Sequence, residues 1–214
     1  SADFLQDWSR CTTASTGPLA DIEVCKIGPD TLPPEVLVWG DSHARAYMDG
    51  IAQAANETNK PGLLIWHAGC PPLFELRKQE SAATPAEDAA CETANKKIRL
   101  AIPQLKSIKR VLLIGRWSYY QSGQGVGLDQ HNQITLTPEA DIQNLDADQT
   151  SLLSDAIEQT VTELRRSQMD VYIMRQPPEL PAYSSRMIAR KLAHGARTPK
   201  IQSAFSAPME QLLS

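Results

Sequence analysis

"VLVWGDSHARAY", residues 36–47, is the stretch on which the reading of this chain turns. Val36, Leu37, Val38 and Trp39 form an unbroken apolar run, the pattern of a strand buried on both faces. The run stops at Gly40-Asp41-Ser42-His43, and Ala44, Tyr47, Met48, Ile51 and Ala55 then recur at helical spacing. Ser42 thus falls where a buried strand hands over to a helix. A hydroxyl placed there faces the crevice at the strand's end, and its own N–H is one of the donors that the first helical turn leaves unpaired. The helix dipole favours negative charge at the same point. These are the needs of a serine that attacks an acyl carbon and leaves an oxyanion behind. Ser42 or Asp41 acting only as a helix cap is the plainer alternative.

The rest of the chain repeats the pattern. Leu63–Trp66, Val111–Ile114 and Val171–Met174 are three more short apolar runs, the last stopped by Pro177-Pro178. Helices are expected between them: residues 85–105, with Pro103 bending or ending the segment, and residues 150–166, with Leu153, Ile157, Val161 and Leu164 on one face. Ser184–Ala193 reads as a short basic helix, and a short hairpin is expected around Ile134–Leu136. Strands alternating with helices predict an α/β three-layer sandwich with a parallel, doubly wound sheet. Residues 1–34, rich in turn formers, read as an irregular N-terminal extension or linker, and residues 35–214 as the domain proper. In such sheets the chemistry sits at the carboxyl ends of the strands. Gly40–His43, His67–Pro72 and Gly115–Tyr120 all occupy that position.

The 214 residues suffice for one domain with a sizeable core. A net charge of −4 argues against a phosphate-binding surface, so nucleic acid is not an expected partner. No apolar run approaches the roughly 20 residues of a membrane span, and no signal peptide is visible at Ser1, so the sequence reads as a soluble piece of something longer. None of the four cysteines sits in a CxxC pair. Their spacing allows two local disulfides, Cys11–Cys25 and Cys70–Cys91, among three possible pairings. That pairing implies an oxidising compartment such as the periplasm, whereas buried free thiols would fit the cytosol.

The segment Val36–Ala44, "VLVWGDSHA", resembles the first block of the SGNH (GDS-type) hydrolase and acyltransferase superfamily. The likeness is to the GDSHA version found in domains attached to acyltransferase family-three membrane proteins. "GCPPL", Gly69–Leu73, and "VLLIGRWSYY", Val111–Tyr120, resemble later segments of the same subgroup, so the similarity spans roughly residues 35–190. The resemblance implies O-acylation, usually O-acetylation, of a sugar hydroxyl on a bacterial envelope glycan. An attached or partner membrane acyltransferase would relay the acyl donor, the location would be periplasmic or extracytoplasmic, and no cofactor is required. By the same likeness Ser42 is the nucleophile and Gly69 supplies an oxyanion N–H. Arg116 stands where the wider superfamily has an asparagine and is a candidate oxyanion donor, with a structural salt bridge as its alternative. Asp41, His43 and Trp117 are candidates for substrate contact, and Trp66 is expected in the core.

One departure is serious. The superfamily's catalytic Asp and His lie in an Asp-x-x-His motif near the domain's end, and no such motif occurs here. Asp129-Gln130-His131 has the wrong spacing, and His194 has no Asp three residues before it. A serine without its base loses most of its activity. Either the sequence stops short of the motif, the preferred expectation, or the domain is a non-catalytic glycan-binding module; a carbohydrate esterase is a third reading. Asp41-Ser42-His43 also opens like a metallophosphoesterase, but the further ligand motifs are missing and the chain has four histidines in all, so no metal is expected. Gly123–Gly127 follows no strand and opens no helix, which makes it a loop rather than a nucleotide site.

Overall fold

The structure, a computed structural model, describes residues 9–139, 148–179, 190 and 192–195. The chain runs β1 (Cys11–Thr13), β2 (Glu23–Ile27), β3 (Val36–Gly40), α1 (Ser42–Ala46), α2 (Met48–Glu57), β4 (Gly62–Trp66), β5 (Leu76–Glu80), α3 (Pro85–Ala101), β6 (Arg110–Ile114), α4 (Trp117–Ser122), β7 (Ile134–Pro138), α5 (Gln149–Arg166) and β8 (Asp170–Ile173). Six strands form one sheet in the order β1-β2-β4-β3-β6-β8. The four expected apolar runs, β3, β4, β6 and β8, are its parallel part. The order of β4, β3 and β6 places the topological switch point at the carboxyl end of β3, where ligands of such sheets bind.

The alternation of side chains explains the layers. Leu37, Trp39, Val111 and Leu113 point to one face and pack with Ile98 and Ile102 from the α3 segment and Leu164 from α5. Val38, Leu64 and Ile114 point to the other and pack with Ala44, Met48 and Ala55 of α1 and α2. Leu37 is fully buried, and its replacement by Ala would cost about 2–5 kcal/mol. The expected first helix is two, broken at Tyr47. The helix over 85–105 begins on a Thr84–Glu87 capping box with Pro85 in its first turn and ends at Ala101; a short tight turn around Pro103 follows.

Two expectations give way. Residues 11–27, read as irregular, add β1 and β2 to the sheet antiparallel, with Cys11 directly opposite Cys25 and the two joined as a disulfide. These strands are short and interrupted by the turn formers between them, which hid the inward-facing Cys25 and Ile27. The local hairpin expected around Ile134–Leu136 is reduced to a single antiparallel bridge, Gln124 with Gln133, just before the segment. The segment itself pairs antiparallel with β5, Ile134 opposite Glu80 and Leu136 opposite Lys78, as a separate two-stranded ribbon over the carboxyl end of the main sheet. Leu76, Ile134 and Leu136 cluster there with Leu73, Tyr119 and Tyr120. A partner so far along the chain leaves no trace in local periodicity. The expected helix at Ser184–Ala193 lies largely outside the described residues.

Candidate active site

The Gly40–His43 turn is shaped by close approach and by one buried carboxylate. A Cβ at Gly40 would collide with Ile114 O and lie 2.7 Å from Ala44 Cβ, so glycine alone lets β6 and α1 close on this point. Asp41, 1% exposed, caps α1 by accepting from His43 N at 2.7 Å. The same carboxylate accepts from Arg116 N at 2.7 Å and from Tyr120 OH at 2.5 Å, and lies 3.2 Å from His43 Nδ1. Burial and this carboxylate together push the Tyr120 hydroxyl far above its usual range, so it stays a donor. Asp41 lines the cleft beside Ser42, and its carboxylate locks the Gly40–His43 turn to the start of α4.

Ser42, next to it, is exposed, and among the described residues its hydroxyl makes no hydrogen bond. It lines a cleft of about 310 Å³ together with His67, Gly69, Arg116 and Asn132. Gly69 takes φ +60, a left-handed conformation suited to glycine, within a turn closed by Cys70 N donating to His67 O at 3.1 Å. Among the described residues neither the Ser42 nor the Gly69 N–H has an acceptor. The Gly69 turn is held from behind by the Cys70–Cys91 disulfide to α3 and by Asn95, whose Nδ2 donates to Pro71 O and Leu73 O.

Arg116 lines the cleft and is also ion-paired. Its guanidinium donates at 2.7 Å to each oxygen of Glu179 and at 3.1 Å to Asp129, and lies 4.6 Å above the Tyr119 ring. These carboxylates raise its pKa, and Arg116 in turn holds Glu179 below the usual carboxylate range. The salt bridge considered for Arg116 is therefore formed, and an oxyanion would compete with Glu179 for it. Trp117 does not line the cleft: its indole N–H donates to Met174 O at 2.9 Å and its ring packs among core residues, because it begins α4 beneath β8. His43 is not in the lining either, being turned to Asp41.

Several lining residues were not singled out as site residues by the sequence reading, His67 and Asn132 among them. His67 follows β4 as Asp41 follows β3, and its N–H donates to Gly40 O at 3.0 Å. The rule that picked out the strand ends places it at the crevice, yet nothing in its neighbourhood marked it as more than a loop residue. Burial lowers its pKa, so the ring is neutral near neutrality, and its buried Nδ1 has no partner among the described residues. A triad histidine is oriented by a carboxylate at that nitrogen, and His67 has none there. Asn132 reaches the cleft from the loop before β7, and no sequence signal pointed to it. A larger groove of about 560 Å³ between α3 and α5 is lined mainly by charged side chains, among which Arg99 pairs with Glu75 and Glu163.

The doubly wound α/β sheet has an exposed serine at its switch point, and the turn opposite has an N–H without an acceptor among the described residues, an arrangement that suits the hydrolase and acyltransferase class. The family that carries this arrangement here is the SGNH domain (fused to AT3 domains), whose model matches residues 10–212. The chain belongs to that family, and the match reaches beyond the 35–190 span of the motifs into β1 and β2. Comparison with curated proteins and with solved structures finds no match.

Proposed function

We propose that this domain transfers an acyl group, acetyl in the simplest case, to a sugar hydroxyl of a bacterial envelope glycan through an acyl-enzyme on Ser42. Ser42 Oγ attacks the acyl carbonyl, and the N–H groups of Ser42 and Gly69 meet the oxyanion. The donor's leaving group departs, and the sugar hydroxyl then takes the acyl group from Ser42. The observation that carries this reading is the shared cleft: an unbonded serine hydroxyl and two unused N–H groups at the switch point of the sheet. Arg116, Asp129 and Asn132 bring polar and charged groups to the cleft, which suits a sugar acceptor. Two disulfides suit an extracytoplasmic site, and the family's fusion to AT3 domains suits a donor relayed by a membrane acyltransferase. Among the described residues no helix is long and apolar enough to cross a membrane.

The sequence has no Asp-x-x-His, and among the described residues the buried Nδ1 of His67 has no partner to orient it. That observation favours a second reading, a glycan-binding module without turnover. Incubation with p-nitrophenyl acetate, with imidazole as a supplied base, separates them by intact mass. An acetyl adduct that Ser42→Ala abolishes supports transfer, and its release to added sugars rather than to water distinguishes transferase from esterase. A wild-type chain that gains no adduct, or a Ser42→Ala chain that gains the same one, overturns the acyl-enzyme.

A further inference from the structure

The ribbon that roofs the cleft carries charges where apolar residues would pack. Leu76, Lys78 and Glu80 share one face of β5 by their alternation, and Leu76 joins the apolar cluster beneath the ribbon. Lys78, next on that face, has a side chain only 2% exposed, its Nζ 3.0 Å from Glu80 Oε2 and 2.7 Å from Asp88 Oδ1. A buried ion pair is weak evidence for stability, because desolvation offsets much of the attraction. Its place in the molecule is more informative. Glu80 Oε1 accepts from Tyr119 OH at 3.1 Å, which ties the pair to α4, and Asp88 ties it to the first turns of α3. Glu80 Oε2 also lies 2.5 Å from the point where a Cβ at Gly69 would stand, and Lys78 Nζ lies 3.6 Å from it. Lys78, Glu80, Gly69 and Ser42 all line one cleft.

We infer that Lys78 and Glu80 are positioning residues for acyl transfer: their ion pair, anchored on α3 and α4, backs the Gly69 turn and fixes the direction of its N–H. The inference rests on the acyl-enzyme reading above. The pair carries no proton in the reaction and need not touch the substrate. It holds an oxyanion donor in place before the charge develops, which is where preorganisation acts. The tight approach of Glu80 also gives Gly69 a reason to be glycine beyond its backbone angle.

The test is the rate at which a fluorophosphonate labels Ser42, followed by intact mass with imidazole present. In that reaction the Oγ–P bond forms, fluoride leaves, the hydroxyl proton passes to imidazole, and the phosphoryl oxygen occupies the oxyanion position. Lys78→Met and the near-isosteric Glu80→Gln are expected to keep the native circular dichroism and the probe's half-saturating concentration while the limiting labelling rate falls about 10-fold or more. Gly69→Ala is expected to cost less in a Glu80→Ala background than in wild type, because the colliding oxygen is gone. Should Lys78→Met fail to fold, Glu80→Gln and the Gly69–Glu80 cycle still decide. Unchanged limiting rates in folded variants, or additive losses in the cycle, overturn the positioning role and leave the acyl-enzyme standing. If wild type is not labelled at Ser42, the acyl-enzyme reading falls and takes this inference with it.

Discussion

The Gly40–His43 turn and the His67–Cys70 turn opposite it face the same cleft but hold their shapes by different means. The first is built largely from its own residues: a glycine admits the neighbouring strand, and Asp41 caps the helix that follows. Its long-range side-chain ties, from Arg116 N and Tyr120 OH, converge on that one carboxylate, and backbone bonds from Asp41 N to Ile114 O and from His67 N to Gly40 O add to them. The second is held from outside by a disulfide to α3 and by Asn95, with the Lys78–Glu80 pair of the ribbon close against Gly69. A turn that carries its own determinants can be read from a short stretch of sequence. A turn held by other segments of the chain cannot, although its glycine can be noticed.

The sharpest way to break the comparison is to ask which turn carries the chemistry. Ser42→Ala is expected to lower acyl-adduct formation by about 10³-fold or more while leaving near-ultraviolet circular dichroism unchanged. The side chain is exposed and bonds to no described residue, so its loss should not disturb the fold. Next comes Asp41→Ala. It strips the acceptor from Arg116 N, Tyr120 OH and His43 N together, and urea unfolding is expected to show a loss of about 3 kcal/mol or more. Asp41→Asn, which keeps the shape and one acceptor oxygen, should lose less. Equal stability of wild type and Asp41→Ala would mean that this turn is not held by its own carboxylate.

The two disulfides sharpen the contrast. Replacing Cys70 and Cys91 by Ala, or Cys11 and Cys25 by Ala, is expected to cost about 3 kcal/mol in either case, since both close loops of moderate length. Only the first pair touches the Gly69 turn. Its removal should therefore slow Ser42 labelling in the protein that remains folded, while removal of Cys11–Cys25 should leave labelling unchanged. Equal labelling by both variants would separate the Gly69 turn from the chemistry.

What the sequence made legible follows the same division. β3, β4, β6 and β8 announced themselves through their short apolar runs, and Ser42 because it lies at the handover from strand to helix. The ribbon did not. β5 reads Leu-Arg-Lys-Gln-Glu, a polar string whose inward Lys78 is tolerated only because Glu80 and Asp88 meet it. β7 pairs with that string rather than with a neighbour in sequence. Asn132 entered the cleft through the same non-local geometry, whereas His67 was placed there by the end of β4 but carried no mark of a role. Arg116 was noticed, but its bond to Glu179 required the chain after β8 to return over α4. Trp117 had the composition of a sugar platform and the surroundings of a core residue.

The smallest expected effect concerns the two titrating groups that flank the cleft. His67 has its pKa lowered from 6.5, chiefly by burial, with Lys78 adding in the same direction. The unfolded chain thus takes up this proton at a higher pH than the folded one. Stability should be indifferent to this group well above pH 6.5 and should decline as pH falls from 6.5 toward the folded pKa. Glu179 is lowered from 4.5, chiefly by its hydrogen bonds to Arg116. Its contribution is present above pH 4.5 and is lost as pH falls below that value through the folded pKa. The two windows are separate, so unfolding midpoints measured against pH can assign them. His67→Gln should flatten the upper decline alone and Glu179→Gln the lower one alone. A Lys78→Met chain that remains folded should show a shallower upper decline, because the charge that helps hold the imidazole neutral has gone. An unchanged upper decline in that variant would mean that burial alone sets the imidazole's titration, and that the ion pair behind Gly69 is electrostatically silent on this side of the cleft.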